Sequence, residues 1–245
     1  MWHSAFTLIE LIYAIVIMGI AFITLPIILL NNNRTLEQNL EQEAIFITAT
    51  KMGQILTFSW DEDSRDPGVV LAAAEVLDVT TGDSDFDRAN PAEDFRTGHF
   101  QESLHRRMTP HSSPRAVTAY GALGSEGGDL DDIDDFDGTV DSSSITSGSQ
   151  AGYKSGYALK TCVDYVDDGV NSAIDYRNNT NITFTFNTST KCFNGSDAPI
   201  NVATNLKMVQ IAVDKNTTAF DESNIIVLRS YAANIGEADI YKRTY

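Results

Sequence analysis

Residues 6–30 form an unbroken run, FTLIELIYAIVIMGIAFITLPIILL, in which Glu10 is the only charged side chain. Its 25 residues are long enough as a helix to cross a hydrocarbon core of roughly 30 Å. After Asn31, Asn32, Asn33 and Arg34 the pattern becomes amphipathic. Leu36, Leu40, Ala44, Ile47, Met52, Ile55 and Phe58 recur mostly three or four apart, with Glu37, Gln38, Glu41, Gln42, Glu43 and Lys51 between them. This predicts one helix over residues 6–59, roughly 80 Å long, apolar on all sides in its first half (6–30) and striped in its second (31–59). The polar cluster Ser59, Trp60, Asp61, Glu62, Asp63, Ser64, with Pro67 and Gly68 behind it, ends the helix.

Residues 60–245 read as a globular head. Residues 69–77 suit a short helix or strand and 93–108 a helix, whereas 121–152 is a loop by composition, rich in Gly, Ser and Asp. Beyond Gly152 the period becomes two. Residues 157–166, 182–186, 206–213 and 225–231 alternate β-branched and aromatic side chains between Asn, Asp, Gly and Thr clusters. Four such stretches predict an antiparallel sheet with one face on the amphipathic half of the helix, an α+β fold.

The 34 acidic and 17 basic side chains leave a formal net charge of −17. A chain so acidic is repelled by a phosphate backbone, which argues against nucleic acid as a partner. Arg96, Arg106, Arg107 and Arg115 gather much of the basic charge, a pattern expected from internal pairing with the acidic surroundings. The two cysteines, Cys162 and Cys192, are too few for a thiolate metal site; one disulfide or two free thiols remain open.

Glu10 is the anomaly of the apolar run. An unpaired carboxylate in a membrane costs a few kcal/mol or more, so it either reaches the headgroups or meets a partner. The residues before it also depart from an ordinary signal peptide, because the small pair Ser4 and Ala5 precedes the apolar stretch instead of following it. Ser-Ala, then Phe-Thr-Leu-Ile-Glu-Leu, then an uninterrupted apolar helix, resembles the amino-terminal signature of type IV prepilins and of type II secretion pseudopilins.

The resemblance covers residues 4–30 and implies a set of roles. Residues 1–5 would be a leader, cut between Ala5 and Phe6 by a membrane-embedded prepilin peptidase, and the new amine of Phe6 would be N-methylated. Glu10, the fifth residue of the processed chain, would pair with the amine of a neighbouring subunit during assembly. Gly19 matches the glycine these helices commonly carry, and Pro26 lies one residue earlier than their usual proline; both would bend or locally loosen the helix. Two departures stand out: Ala5 replaces the usual Gly, and the leader has His3 but no Lys or Arg. Orientation therefore rests on the resemblance, since Arg34 beyond the span points weakly the other way. The resemblance also implies the lollipop plan of pilins, a helix stalk with an α+β head. An exported head favours a Cys162–Cys192 bridge, which would close 29 intervening residues and contribute about 3 kcal/mol.

The stretch 126–141 holds eight acidic residues and no basic one. Asp131, Asp132, Asp134, Asp135 and Asp137, with Gly138 behind them, suggest calcium, whereas Ile133 and Phe136 among them suggest a fixed, hydrogen-bonded turn with two side chains tucked inward. The spacing is not that of an EF-hand, because Ile133 would stand at the first ligand position. The words Asp-Asp-Ile-Asp-Asp-Phe, Ser59-Trp60-Asp61-Glu62-Asp63 and Gly156-Tyr157 resemble D-type minor pilins of mannose-sensitive haemagglutinin pilus systems, and the strand Val227-Leu228-Arg229-Ser230-Tyr231 resembles minor pilins generally. His99, His105 and His111 are six apart, which on a helix turns successive rings roughly 240° away from each other and disfavours a metal triad. No Gly-x-Ser-x-Gly elbow or phosphate-binding loop supports an anchored hydrolase. Asp214-Lys215-Asn216-Thr217-Thr218 fits either a bacterial N-glycosylation acceptor or a polar turn.

The expected function is that of a non-enzymatic minor pilin, held in the bacterial inner membrane with its head in the periplasm and then added to a surface filament. Its partners would be other pilins, the prepilin peptidase and the inner-membrane assembly platform. A type II secretion pseudopilin is the close alternative. A single-span anchored protein that captures calcium or another ligand is the alternative of a different class.

Overall fold

A computed structural model of the chain describes residues 7–65, 73–82, 106, 108–109, 115–124, 128–143, 156–168, 192–193, 200–214 and 226–237. The chain divides into two compact units, residues 1–44 and 45–245. One helix, α1 (Leu8–Ile55), runs through the first and into the second.

α1 starts where Thr7 and Glu10 stand at capping-box spacing: the Thr7 backbone N–H and hydroxyl both donate to Glu10 Oε2, at 3.0 and 2.9 Å. Pro26 lies inside the helix, which continues through it. Thr24, Thr35 and Thr50 return their hydroxyls to carbonyls three or four residues back, so these side chains need no outside partner. Ile55 is the last residue of the helix, four earlier than the pattern predicts. Beyond it the turn tightens, with Thr57 N donating to Gln54 O and Phe58 N to Ile55 O. The reason is tertiary: Ser59 leaves the helix to form a parallel bridge with Asp132, and Trp60 and Asp61 are buried immediately after it.

Within the second unit, Ile47, Thr48, Met52 and Ile55 are buried while Ile45 and Phe46 are exposed, which is the expected stripe at helical spacing. Lys51, on the same stretch, pairs with Asp141 at 2.8 Å and lies over the Phe136 ring.

The sheet has four antiparallel strands in the order β1 (Val140–Ser143), β2 (Tyr157–Tyr165), β3 (Leu206–Asp214), β4 (Ile226–Ala233). Three of them lie within two residues of the expected bounds. The expected strand at 182–186 lies outside the described residues. β1 instead emerges from the tail of the stretch read as loop, because two contacts hold it against β2: Gly138 N donates to Thr161 O and Thr161 N to Thr139 O. Gly138 sits at φ +73°, a conformation that lets the acidic turn swing directly into a strand. β2 and β3 are buried almost throughout, so both faces of the sheet centre are covered, whereas β4 is half exposed as an edge. On one face Trp60, Leu77, Val79, Tyr165 and Ala203 form a core; on the other Cys162, Phe193 and Ala212 cluster with Val227. The chain is thus α+β: one long apolar amino-terminal helix and a four-stranded antiparallel sheet.

Candidate functional site

The first candidate is the surface of α1. Every large apolar side chain from Leu8 to Leu30 is more than half exposed, Phe22 at 74% and Ile23 at 67% among them. The helix is long and apolar enough to cross a membrane, and no part of its most apolar stretch is buried within the chain. Burying an apolar side chain stabilises by about 1.5–3 kcal/mol, so such a surface demands lipid or other helices. Glu10 sits exposed in the first turn, and one of its carboxylate oxygens is engaged by Thr7. Gly19 has open space around its α-carbon, which lets another backbone approach at that level. Ala5 and Phe6, the expected cleavage and methylation residues, lie outside the described residues, as do the three histidines at 99, 105 and 111.

The second candidate is a buried ionic cluster beneath the acidic stretch. Ile133 and Phe136 are 3% and 2% exposed, and Asp132, Asp134 and Asp135 are buried with them. Phe136 is held against Phe58 and under Lys51. The turn closes on itself: Asp135 Oδ2 accepts from the N–H groups of Asp131 and Asp132, and Asp132 Oδ1 accepts from Asp135 N. Ile133 N donates to Ser59 O and Val163 N to Asp137 Oδ1, which ties the turn to the helix end and to β2.

At the centre stands Lys207 of β3, fully buried. Its Nζ donates to Trp60 O at 2.8 Å, to Asp61 Oδ2 at 3.0 Å and to Asp134 Oδ1, which uses all three protons of an ammonium. The Trp60 and Tyr165 rings flank it, with centroids 4.2 and 5.5 Å from Nζ. Asp61 is satisfied on its other sides by the N–H groups of Asp63 and Thr118, and the Tyr165 hydroxyl donates to Thr118 O.

Burial, helped by the neighbouring charge of Asp134 and opposed by Lys207, pushes the Asp132 carboxyl up to about 8. Burial also raises Asp134, against the pull of Lys207. The Tyr165 phenol is raised as well, by burial first and then by the surrounding aspartates. At the exposed rim Glu62 shares a hydrogen bond with Asp131, and this bond, partial burial and the charges of Asp131, Asp129 and Asp135 push Glu62 up to about 7.

The aspartates of the stretch are therefore divided among different partners. Asp132 and Asp135 answer each other's backbone, Asp137 holds Val163, Asp134 holds Lys207, and Asp131 lies exposed beside Glu62. They do not offer the convergent shell of roughly six or more oxygens that calcium takes. Among the described residues no group of three or more His, Cys, Asp or Glu side chains is arranged to hold a metal ion. The cation at this place is Lys207. Lys207 is not among the residues singled out in the sequence, and Asp61 enters there only through the polar cluster at the helix end and the minor-pilin resemblance; a lysine flanked by Leu206 and Met208 in a mostly apolar strand is the signal that marks the site.

Elsewhere, Cys162 on β2 and Cys192 are joined in a disulfide, with α-carbons 5.8 Å apart. Arg115 pairs with Glu75 at 3.1 Å, Arg106 is exposed, and residues 96 and 107 lie outside the described residues. Asp214, the first residue of the possible glycosylation motif, ends β3 and is buried; residues 215–218 lie outside the described residues. No family model matches the chain, and neither a curated protein nor a solved structure is significantly similar to it.

Proposed function

We propose that the chain is a minor subunit of a type IV pilus or a related filament, made as a prepilin, processed between Ala5 and Phe6 and assembled through its amino-terminal helix. The observation that carries this reading is a lone carboxylate, Glu10, five residues beyond Ala5 at the start of a helix whose apolar surface is exposed on all sides. In a packed helical bundle a free amine on Phe6 and a carboxylate on Glu10 are each costly alone, and one axial register between neighbouring subunits satisfies both. An α+β head behind such a helix is the architecture this assembly mode uses. The bacterial inner membrane holds the subunit before assembly, with the head on the periplasmic side.

A pseudopilin of a secretion system has the same requirements at its amino terminus and differs in the filament it joins. Mass spectrometry of the protein purified from its native membrane tests the processing step. The expected species lacks residues 1–5 and carries a methylated Phe6. A mature species that retains the leader defeats the reading.

A further inference from the structure

We propose that Lys207 and Asp134 are the two halves of an intramolecular amide cross-link, formed in the folded head by loss of one water, with Asp61 and Asp132 handling the protons. The nucleophile is a lysine with no exposure, walled by Trp60 and Tyr165 and in direct contact with the Asp134 carboxylate. The electrophile, Asp134, has a side chain only 2% exposed. Two further carboxyls complete the set on different sides. Asp61 takes a hydrogen bond from the same Nζ at 3.0 Å, and the Asp132 carboxyl is hydrogen-bonded to Asp134.

These four groups divide the labour of an acyl condensation. Nζ gives one proton to Asp61 and becomes a neutral amine. Its lone pair attacks Cγ of Asp134, the C–N bond forms, and the carboxyl oxygen that receives the electron pair is protonated by Asp132. The nitrogen then returns a proton to Asp132, and the hydroxyl on Cγ departs with the proton held by Asp61 as the C–O bond breaks. Ammonium plus carboxylate have become amide plus water, and Asp61 and Asp132 end as they began.

Burial favours this outcome. An ion pair in a dry site bears a desolvation penalty that a neutral amide does not. Fixed contact between amine and carboxyl replaces a bimolecular encounter, an advantage that reaches an effective concentration of about 10⁵ M or more in well-aligned systems. The bond would tie β3 to the acidic turn, joining residues 73 apart in sequence. This inference is independent of the filament reading.

The test is the intact mass of the full-length chain after reduction of the disulfide, followed by tryptic digestion. The expected mass is one water below that of the unlinked chain, whether or not residues 1–5 are present, trypsin does not cut after Lys207, and a branched peptide links the segments that contain residues 134 and 207. Lys207→Arg restores the water. An imide at Asp137-Gly138 loses the same mass but leaves Lys207 cleavable, so the branched peptide separates the two. Asp61→Asn and Asp132→Asn are expected to slow the loss of water at least tenfold in folded protein. A wild-type chain that is folded by circular dichroism, has the full mass and is cut after Lys207 overturns the proposal.

Discussion

Lys207, Asp132 and Gly236 show how single residues hold the head together. Asp132 faces Asp134, Lys207 and the Asp135 N–H group, and Asp61 and Tyr165 also border Lys207. Its carboxyl is raised from 3.8 to about 8, and Glu62 at the rim from 4.5 to about 7. A carboxyl raised on folding binds its proton more tightly in the folded state. Its contribution is complete below the unfolded value and is lost as pH rises through the folded one. The head is therefore expected to melt several degrees higher at pH 5 than at pH 8.5. Asp132→Asn, which keeps the oxygen that serves Asp135 N and still donates towards Asp134, should flatten that dependence, and Glu62→Gln should flatten it further. Scanning calorimetry across this window checks both; a melting temperature that rises with pH contradicts the assignment. Gly236 gives a second prediction. At φ +61° it brings Glu237 N onto Ala74 O, and a Cβ there would stand 2.7 Å from that same carbonyl. Gly236→Ala should cost about 1–3 kcal/mol in denaturant unfolding, with the Arg65–Glu237 pair weakened as well.

The elements were legible in the sequence for different reasons. The second half of α1 buries a stripe at the helical repeat and β4 alternates towards its end, whereas the first half of α1 shows in its unbroken apolar length. β2 and β3, buried on both faces, show in apolar and β-branched content between polar clusters. β1 was not legible. Its four residues, VDSS, carry one apolar side chain, and what makes them a strand is the contact of Thr139 and Gly138 with Thr161 on a distant segment. The ionic cluster was half legible for the same reason. Ile133 and Phe136 announced a tucked turn, but the cation that balances Asp134 comes from 73 residues away, and its bond to Asp61 spans 146. No local pattern encodes such a meeting. The helix ends four residues before its sequence pattern does because the pull on Ser59 comes from Asp132 and not from a breaker in the helix itself. The disulfide supplies the test of how β2 is anchored. Cys162 packs with Phe193 and Ala212, and its bond to Cys192 closes a loop of 29 intervening residues. Paired Cys162→Ala and Cys192→Ala substitutions should lower stability by about 3 kcal/mol, read as a shift in the denaturant midpoint. An unchanged midpoint would show that the loop is held by its packing alone.

The apolar helix and the acidic remainder make opposite demands on solvent, and the position of Glu10 decides between two accounts of how they are met. If the carboxylate merely reaches the headgroups, Glu10→Ala makes the span more apolar, improves insertion and leaves assembly unchanged. If it meets the amine of a neighbouring Phe6, the same substitution leaves membrane insertion intact yet strands that amine in a dry bundle. A loss of only 1.4 kcal/mol per contact already means a tenfold fall in incorporation, and a buried unpaired charge costs about 3–5 kcal/mol. The expected result is therefore a variant with normal membrane levels and at least tenfold less protein in sheared filaments. Glu10→Gln should behave the same way, since it keeps the volume and the hydrogen-bonding capacity toward Thr7 but removes the charge. Equal incorporation of wild type and both variants would leave Glu10 a headgroup contact and remove the physical basis for register by charge pairing.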